Sequence, residues 1–160
     1  MKILYFDPHA LLYSSAYLSK NDDIRESYEA QLSYVDRDTF MTNVEPDRKG
    51  IRKLADAAID AHLLLYPTGD WYTRELLIKH KLLNDSELAP YVDLALRVRL
   101  DDRDPLRLML VHAGALNAEW YVCGDIATDE RLKSFPNRYF LTQFGEGVSE
   151  DLISMIAAIE

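Results

Sequence analysis

Short apolar runs alternate with amphipathic segments along the chain. The apolar runs cover residues 2–6, 62–66, 119–123 and 138–142, and the first three stop close to Pro8, Pro67 or Gly124. Continuous apolar runs are typical of strands that are covered on both faces. Helical spacing of apolar residues predicts helices over 47–61, 71–83, 104–115 and from 149 onward. This alternation predicts an α/β fold, a three-layer α/β/α Rossmann-like sandwich with a mainly parallel central sheet.

Other segments have weaker patterns. A helix is expected over residues 24–32, an irregular or extended stretch over 34–41, a short strand over 94–98 and a short helix over 128–134. We expect Asp70 or Thr68 to cap the 71–83 helix. Residues 13–45 follow the first strand and are expected to form a small cap insertion. Without a repeat or a linker, residues 1–160 are expected to form a single domain.

Net charge, apolar content and cysteine count limit the classes of function that we expect. The chain has 160 residues and a net charge of −9, with its acidic residues spread along it. Such a chain repels phosphate backbones and anionic lipids, so nonspecific nucleic-acid binding is not expected. No signal-peptide pattern or membrane-length apolar run is present, and Cys123 is the only cysteine. These features are typical of a soluble protein in a reducing cytoplasm.

Polar residues follow the predicted strands where ligands bind in open parallel sheets. Asp7 and His9 follow the first strand, Thr68 the second, and Asp125 a later one. Two carboxylates from neighbouring strands would suit Mg²⁺, which binds oxygen ligands together with phosphate and water. A carboxylate can also act as a nucleophile, and a hydroxyl or backbone N–H group in the 67–70 turn can hold a phosphate oxygen.

The order of these segments resembles the haloacid-dehalogenase (HAD) superfamily. The residues concerned are Asp7-Pro-His-Ala-Leu-Leu12, Tyr66-Pro-Thr-Gly-Asp-Trp71, Cys123-Gly-Asp125 and Phe144-Gly-Glu-Gly-Val-Ser-Glu-Asp-Leu152. The chain is similar in particular to the small HAD domain associated with RNA-repair proteins. Trp71 and the Gly-Val-Ser-Glu-Asp-Leu start of the last helix are the closer matches. The resemblance covers nearly the whole chain, although its motifs are short and degenerate.

The resemblance implies Mg²⁺-dependent phosphoryl transfer from a phosphomonoester through an aspartyl-phosphate. Asp7 falls at the position of the nucleophile, and Asp125 at that of a metal-binding acid. The backbone carbonyl of residue 9 would also bind the metal, and the His9 ring would serve as acid and base. Thr68 falls near the phosphate-binding hydroxyl, and Arg107 (or Arg103) near the phosphate-stabilising lysine. The implied ligand is a phosphorylated small molecule or a nucleic-acid end.

Three departures from the family pattern predict weak or altered catalysis. His9 replaces the usual second acid, no lysine stands at its expected position, and Ile126 replaces the acid that often follows the metal ligand. The alternative is therefore a catalytically inactive HAD-like domain that binds a protein or a ligand. A flavodoxin-like or receiver-like protein is disfavoured, because a strand-end lysine and an adjacent acidic pair are missing.

Several of these residues also have simpler structural interpretations. Asp7 can end a strand and initiate a turn, and His9 can be a packing residue. Cys123 lies in an apolar run, which favours a buried thiol. His62, His80 and His112 lack zinc-ligand spacing, and Gly145 and Gly147 lack the context of a nucleotide-binding loop.

Overall fold

The computed structural model describes residues 1–31 and 35–160. Its four parallel strands are β1 (Lys2–Phe6), β2 (Leu64–Pro67), β3 (Glu119–Cys123) and β4 (Tyr139–Phe140). They form one sheet in the order β2-β1-β3-β4, so β1 is a central strand. Phe6 pairs with Pro67 on one side and Cys123 on the other. The residues after these three strands therefore emerge at the same level of the same edge.

Eight helices are described, and several begin at a capping side chain. The Asp47 carboxylate accepts from the Gly50 N–H (2.9 Å), and the Ser149 hydroxyl accepts from the Leu152 N–H (3.2 Å). Such caps satisfy amides that the first turn leaves unpaired. The helices are α1 (Pro8–Leu12), α2 (Ser15–Ser19), α3 (Asp22–Ala30), α4 (Arg37–Asn43), α5 (Arg48–Asp60), α6 (Arg74–Lys79), α7 (Pro105–Ala115) and α8 (Glu150–Ala157).

Both faces of the sheet are covered. Leu4 and Phe6 of β1 belong to a core that contains the buried faces of α5 and α8. Ile3 and Tyr5, which point to the opposite face, belong to a second core with α7. The alternation follows from the two-residue period of a strand. The molecule is thus a three-layer α/β/α Rossmann-like sandwich, and the predicted fold class is confirmed.

The prediction of a strand over 94–98 is wrong. These residues form a turn in an exposed loop, because the Asp93 carboxylate accepts from the Ala95 N–H (3.0 Å). The Leu94 carbonyl then accepts from the Arg97 and Val98 N–H groups (2.8 and 3.0 Å). These local hydrogen bonds replace the pairing that a strand would need.

Two helix predictions also need correction. The 71–83 helix is shorter, because Thr73, and neither Asp70 nor Thr68, caps it through the Leu76 N–H (3.2 Å). Residues 37–41 of the stretch predicted as irregular or extended belong to α4, which Asp36 caps through the Thr39 N–H (3.0 Å). Residue 34 and the end of the 24–32 helix prediction lie outside the described residues.

Smaller differences concern the C-terminal half. The fourth strand is limited to Tyr139–Phe140, and the 128–134 segment forms 3₁₀ turns at Asp125–Thr128 and Glu130–Ser134. The expected cap insertion contains α2, α3 and α4 in its described parts, 13–31 and 35–45. Among the described residues, no helix has the length and apolar character needed to cross a membrane.

A buried hydrogen bond links the sheet to α7. The Tyr5 hydroxyl lies 2.7 Å from Nδ1 of His112, and Nε2 of His112 lies 2.9 Å from the Pro90 carbonyl. Because a carbonyl only accepts, Nε2 carries the proton and Nδ1 accepts from the Tyr5 hydroxyl. His112 is buried, and both of its ring nitrogens are hydrogen-bonded within the protein.

We expect Tyr5→Phe to lower the free energy of unfolding by about 1–3 kcal/mol, because it leaves the buried His112 Nδ1 without a donor. Denaturant unfolding measures the change. Tyr91→Phe is the matched control, since Tyr91 is exposed. Equal unfolding midpoints for the two variants would contradict this account.

Candidate active site

The carboxyl ends of β1, β2 and β3 surround one cavity. Its volume is about 390 Å³, and Asp7, Thr68 and Asp125 contribute to its wall. The structure therefore brings together three of the residues predicted from the sequence. The 3₁₀ turns after β3 and the start of α7 complete the wall, with Asp104, Asp129 and Arg131.

The carboxyl group of Asp7 has a raised pKa. It directly follows β1 and is partly buried under the start of α1. Burial, with a smaller contribution from the negative charge of Asp125, raises the pKa of Asp7 to about 6. Both effects disfavour the charged form. Asp7 is consequently ionised near neutral pH, at a cost that a bound cation would reduce.

Gly124 permits this close arrangement. It lies between β3 and Asp125 with φ +87° and ψ −162°, a combination that is essentially restricted to glycine. A Cβ atom at this position would lie 2.9 Å from the Asp7 Cβ and 3.2 Å from the Asp7 nitrogen. The absence of a side chain therefore lets the end of β3 pass directly beside Asp7.

Thr68 is held against the neighbouring strand. Its N–H (2.8 Å) and its hydroxyl (3.2 Å) both donate to the Phe6 carbonyl. The hydroxyl oxygen is thereby fixed beside the residue that precedes Asp7. To donate to a phosphate oxygen, the hydroxyl must rotate away from the Phe6 carbonyl. Gly69 follows with φ +79°, a backbone conformation that glycine adopts readily.

The His9 ring lies in a neighbouring cavity of about 220 Å³, which also includes Asp7 and Thr68. Its Nδ1 is 2.6 Å from the Tyr72 hydroxyl, and its Nε2 is 2.9 Å from the Tyr28 hydroxyl. Burial, followed by the nearby charge of Arg37, lowers the pKa of His9. The neutral ring thus donates to one phenol and accepts from the other, so both nitrogens are already engaged.

Neither of the predicted arginines lines the main cavity. Arg107 pairs with Asp102 (2.7 Å) and more loosely with Asp104 (3.6 Å). Arg103 pairs with Asp70 (3.3 Å). Both guanidinium groups are therefore held by carboxylates of the surrounding loops, and two of these, Asp102 and Asp104, lie just before α7. Placement of a phosphate-binding cation at Arg107 stays a prediction that this geometry does not favour.

Arg131, by contrast, lines the cavity. Its guanidinium contacts the carboxylates of Asp104 (2.9 Å) and Asp129 (2.7 Å). The Arg131 hydrogen bonds lower the pKa of Asp104 to about 2. Sequence reasoning missed Arg131 because it lies in a 3₁₀ turn without a motif. The available signal in the sequence was that Arg131 follows shortly after Asp125, the acidic residue just after β3.

Arg37 was also missed. Its guanidinium carbon lies 4.2 Å from the centre of the Trp71 ring and 5.2 Å from that of Phe40. Both distances are within the range of cation–π interactions. This contact holds α4 against the segment after β2, next to the His9 ring. The contact with Trp71 joins residues that are far apart in the sequence. Arg37 also lies in α4, a helix that was not predicted from the sequence.

The donor set at the cavity fits a hydrated magnesium ion. Asp7 and Asp125 supply two carboxylates, and Mg²⁺ binds through one or two carboxylates together with phosphate and water. The His9 carbonyl already accepts from the Tyr13 N–H (3.0 Å) within α1. In residues 1–31 and 35–160, no three His, Cys, Asp or Glu side chains converge as a metal-binding group. Water and substrate would therefore complete the coordination.

We compared the chain with protein-family models, curated proteins and solved structures. No family model matches the chain. No curated protein and no solved structure matches it either. The similarity to the HAD superfamily accordingly stays a prediction from the motifs.

Proposed function

We propose that the protein is a Mg²⁺-dependent HAD-like phosphohydrolase that forms an aspartyl-phosphate at Asp7. The observation that supports this most strongly is the placement of Asp7, Asp125 and Thr68 around one cavity at the carboxyl edge of a parallel sheet. Ligands bind at this edge in open α/β sheets. The raised pKa of Asp7 is also typical of carboxyl groups at functional sites.

In the first step, an Asp7 carboxylate oxygen attacks the phosphorus atom of a phosphomonoester. An oxygen–phosphorus bond forms, the ester oxygen–phosphorus bond breaks, and the alcohol leaves after taking a proton. In the second step, water attacks the same phosphorus atom and loses a proton. The bond to Asp7 then breaks, which restores the carboxylate and releases inorganic phosphate. Bound Mg²⁺ would supply positive charge against the phosphate oxygens.

Charge around the cavity explains why the proposed reaction needs a divalent cation. Asp7, Asp104, Asp125 and Asp129 line the cavity, and among the described residues Arg131 is the only cationic one in its wall. Two of the carboxylates already contact Arg131. A phosphate dianion would be repelled by the remaining negative charge unless a cation enters with it. Asp125, which is exposed and lines the same cavity as Asp7, would hold that cation.

We expect Asp125→Asn to raise the Mg²⁺ concentration for half-maximal hydrolysis by about tenfold or more, because one anionic ligand is lost. A Mg²⁺ titration of 4-nitrophenyl phosphate hydrolysis measures this shift. Asp60→Asn is the control, since Asp60 is an exposed carboxylate at the opposite end of the sheet. Identical Mg²⁺ dependence for Asp125→Asn and the natural protein would contradict a metal role for Asp125.

The His9 ring is poorly placed to deliver the leaving-group proton. Tyr28 and Tyr72 engage both of its nitrogens, and its pKa is lowered. We therefore propose that water supplies the proton. This predicts slow turnover of alkyl phosphates, whose leaving groups need protonation, and faster turnover of esters with acidic phenols.

We expect His9→Asp to raise alkyl phosphate turnover by at least about tenfold, because it restores a carboxylic acid for general acid catalysis. Steady-state kinetics with methyl phosphate and 4-nitrophenyl phosphate measure the effect. The gain should be smaller for the nitrophenyl ester. His9→Asn is the control for the lost aromatic contacts, and an equal response to both substitutions would argue against acid catalysis at residue 9.

The second candidate is an inactive HAD-like domain that binds a protein or a phosphorylated ligand. It is favoured by the two engaged nitrogens of His9 and by the pairing of Arg131 with two carboxylates. A folded protein that gains nothing from His9→Asp and does not bind Mg²⁺ would favour this function. For either function we propose a cytoplasmic location, supported by the single buried thiol of Cys123.

A further inference from the structure

A second cavity lies beside the first, on the α7 face of the sheet. Its volume is about 240 Å³. Tyr5, Tyr66, Tyr91, Leu108, Met109 and His112 are among its lining residues. Within the described ranges 1–31 and 35–160, no acidic or basic side chain apart from His112 contributes to its wall. Burial lowers the pKa of His112, so the imidazole is neutral near neutral pH. This cavity therefore differs sharply in polarity from the acidic cavity at Asp7.

Aromatic rings form much of the wall. The rings of Tyr66 and His112 are stacked, with centroids 4.0 Å apart and an interplanar angle of 26°. The Tyr5 ring meets His112 edge-on, at 5.7 Å and 90°. The hydrogen bonds of His112 to the Tyr5 hydroxyl and the Pro90 carbonyl fix this arrangement. A preformed wall of this kind favours a planar partner, because aromatic pairs stack or meet edge-on.

The two cavities share part of their walls. Thr68, Gly69 and Pro105 line both of them. A ligand with its phosphate beside Asp7 can therefore extend past the Thr68–Gly69 turn into the aromatic cavity. Gly69 has no side chain to separate the two cavities, and a Cβ atom there would meet nothing within 4 Å.

We propose that the aromatic cavity binds an uncharged planar aryl or heteroaryl ring, which belongs to the phosphomonoester whose phosphate occupies the Asp7 cavity. This inference rests on the proposed function and names its substrate class. The volume is below the roughly 300–1,000 Å³ of pockets for drug-sized ligands, so it suits one ring or a fused pair. A charged ring would lose hydration without gaining an ionic partner.

The ring site can be tested without turnover, by NMR of the protein labelled with ¹³C at the methionine methyl groups. Met109 lines the aromatic cavity, whereas Met41 lies in the other core and serves as an internal control. The probes are benzyl alcohol and the non-planar cyclohexylmethanol. We expect benzyl alcohol to shift the Met109 signal and to bind about fivefold more tightly than cyclohexylmethanol.

Two variants make the assignment specific. Leu108→Trp should fill the cavity and abolish the Met109 shift, whereas Leu96→Trp should not, because Leu96 is fully exposed and does not line the cavity. If Leu108→Trp does not fold, Tyr91→Ala provides a second variant at an exposed lining residue, and it should weaken benzyl alcohol binding. An unchanged Met109 signal in the natural protein, or equal binding of both alcohols, would overturn the proposal.

Benzylphosphonate with Mg²⁺ then tests whether one ligand occupies both cavities. It should bind at least about tenfold more tightly than benzyl alcohol, and Asp125→Asn should remove most of that gain. Equal affinity of the two probes would refute the shared ligand. Because these are binding measurements, failure of the ring site is distinguishable from failure of catalysis, which the hydrolysis assay reports separately.

Discussion

Asp7→Asn is expected to abolish hydrolysis and at the same time to stabilise the fold. The amide is a poor nucleophile, so turnover should fall by at least about a thousandfold. The same change removes a partly buried charge whose pKa is raised by burial and by Asp125. Because this one substitution changes both hydrolysis and fold stability, it is the single substitution from which we expect the largest effect.

The stabilisation should depend on pH in a defined direction. The folded-state pKa of Asp7 is about 6, above its ordinary value of 3.8. The protonated form is thus favoured by folding, and that contribution is fully present below about pH 3.8 and lost as pH rises through about 6. The amide remains neutral throughout, so the advantage of Asp7→Asn should develop over this interval and then stay constant.

Thermal unfolding across this interval measures the stabilisation. Allowing for the partial exposure of Asp7, we expect the melting temperature of Asp7→Asn to exceed that of the natural protein by about 2–4 °C near neutral pH. Asp60→Asn, at an exposed position, should show no pH-dependent difference. A destabilised Asp7→Asn near neutral pH would contradict the assigned environment of Asp7.

Gly124→Ala is expected to damage both the fold and the site. Its φ of +87° and ψ of −162° cost a non-glycine residue about 1–3 kcal/mol, and the new Cβ would lie 2.9 Å from that of Asp7. The backbone beside Asp7 must move to relieve the contact. We expect a total loss of about 2 kcal/mol or more in unfolding free energy, together with a large loss of hydrolysis.

Gly114→Ala is the matched control for this experiment. Gly114 lies in α7, and a Cβ atom there meets nothing within 4 Å. Alanine should therefore stabilise the protein by about 0.5–1 kcal/mol through its higher helix propensity. Denaturant unfolding and hydrolysis assays compare the two variants. Similar changes in unfolding free energy and hydrolysis for both variants would contradict the strained conformation and close Asp7 contact that we expect for a side chain at residue 124.

The regular part of the fold could be predicted from the sequence because its signals are local. The apolar run of β3 and the Asp104-Pro105 start of α7 each depend on neighbouring residues, and both occur where expected. The strand predicted at 94–98 failed because the apolar run was outweighed by turn hydrogen bonds to Asp93 and Leu94. Apolar composition alone did not distinguish the 119–123 segment, which forms β3, from the 94–98 segment, which forms a turn.

The candidate site was only partly predictable. Asp7 and Asp125 could be placed together because parallel strands end at a common edge. The contacts of Arg131 with Asp104 and of Arg37 with Trp71 depend on how loops and short helices meet in space. The engagement of His9 by Tyr28 and Tyr72 is likewise nonlocal, and no spacing rule within the sequence indicates it.

We propose Asp7 as the nucleophile of a magnesium-dependent phosphohydrolase. The most direct measurement is hydrolysis of 4-nitrophenyl phosphate near neutral pH by the natural protein and by Asp7→Asn, each with Mg²⁺ and with a chelator. We expect turnover only for the natural protein with Mg²⁺. Absence of turnover in the folded natural protein, or equal turnover by Asp7→Asn, would contradict this proposal.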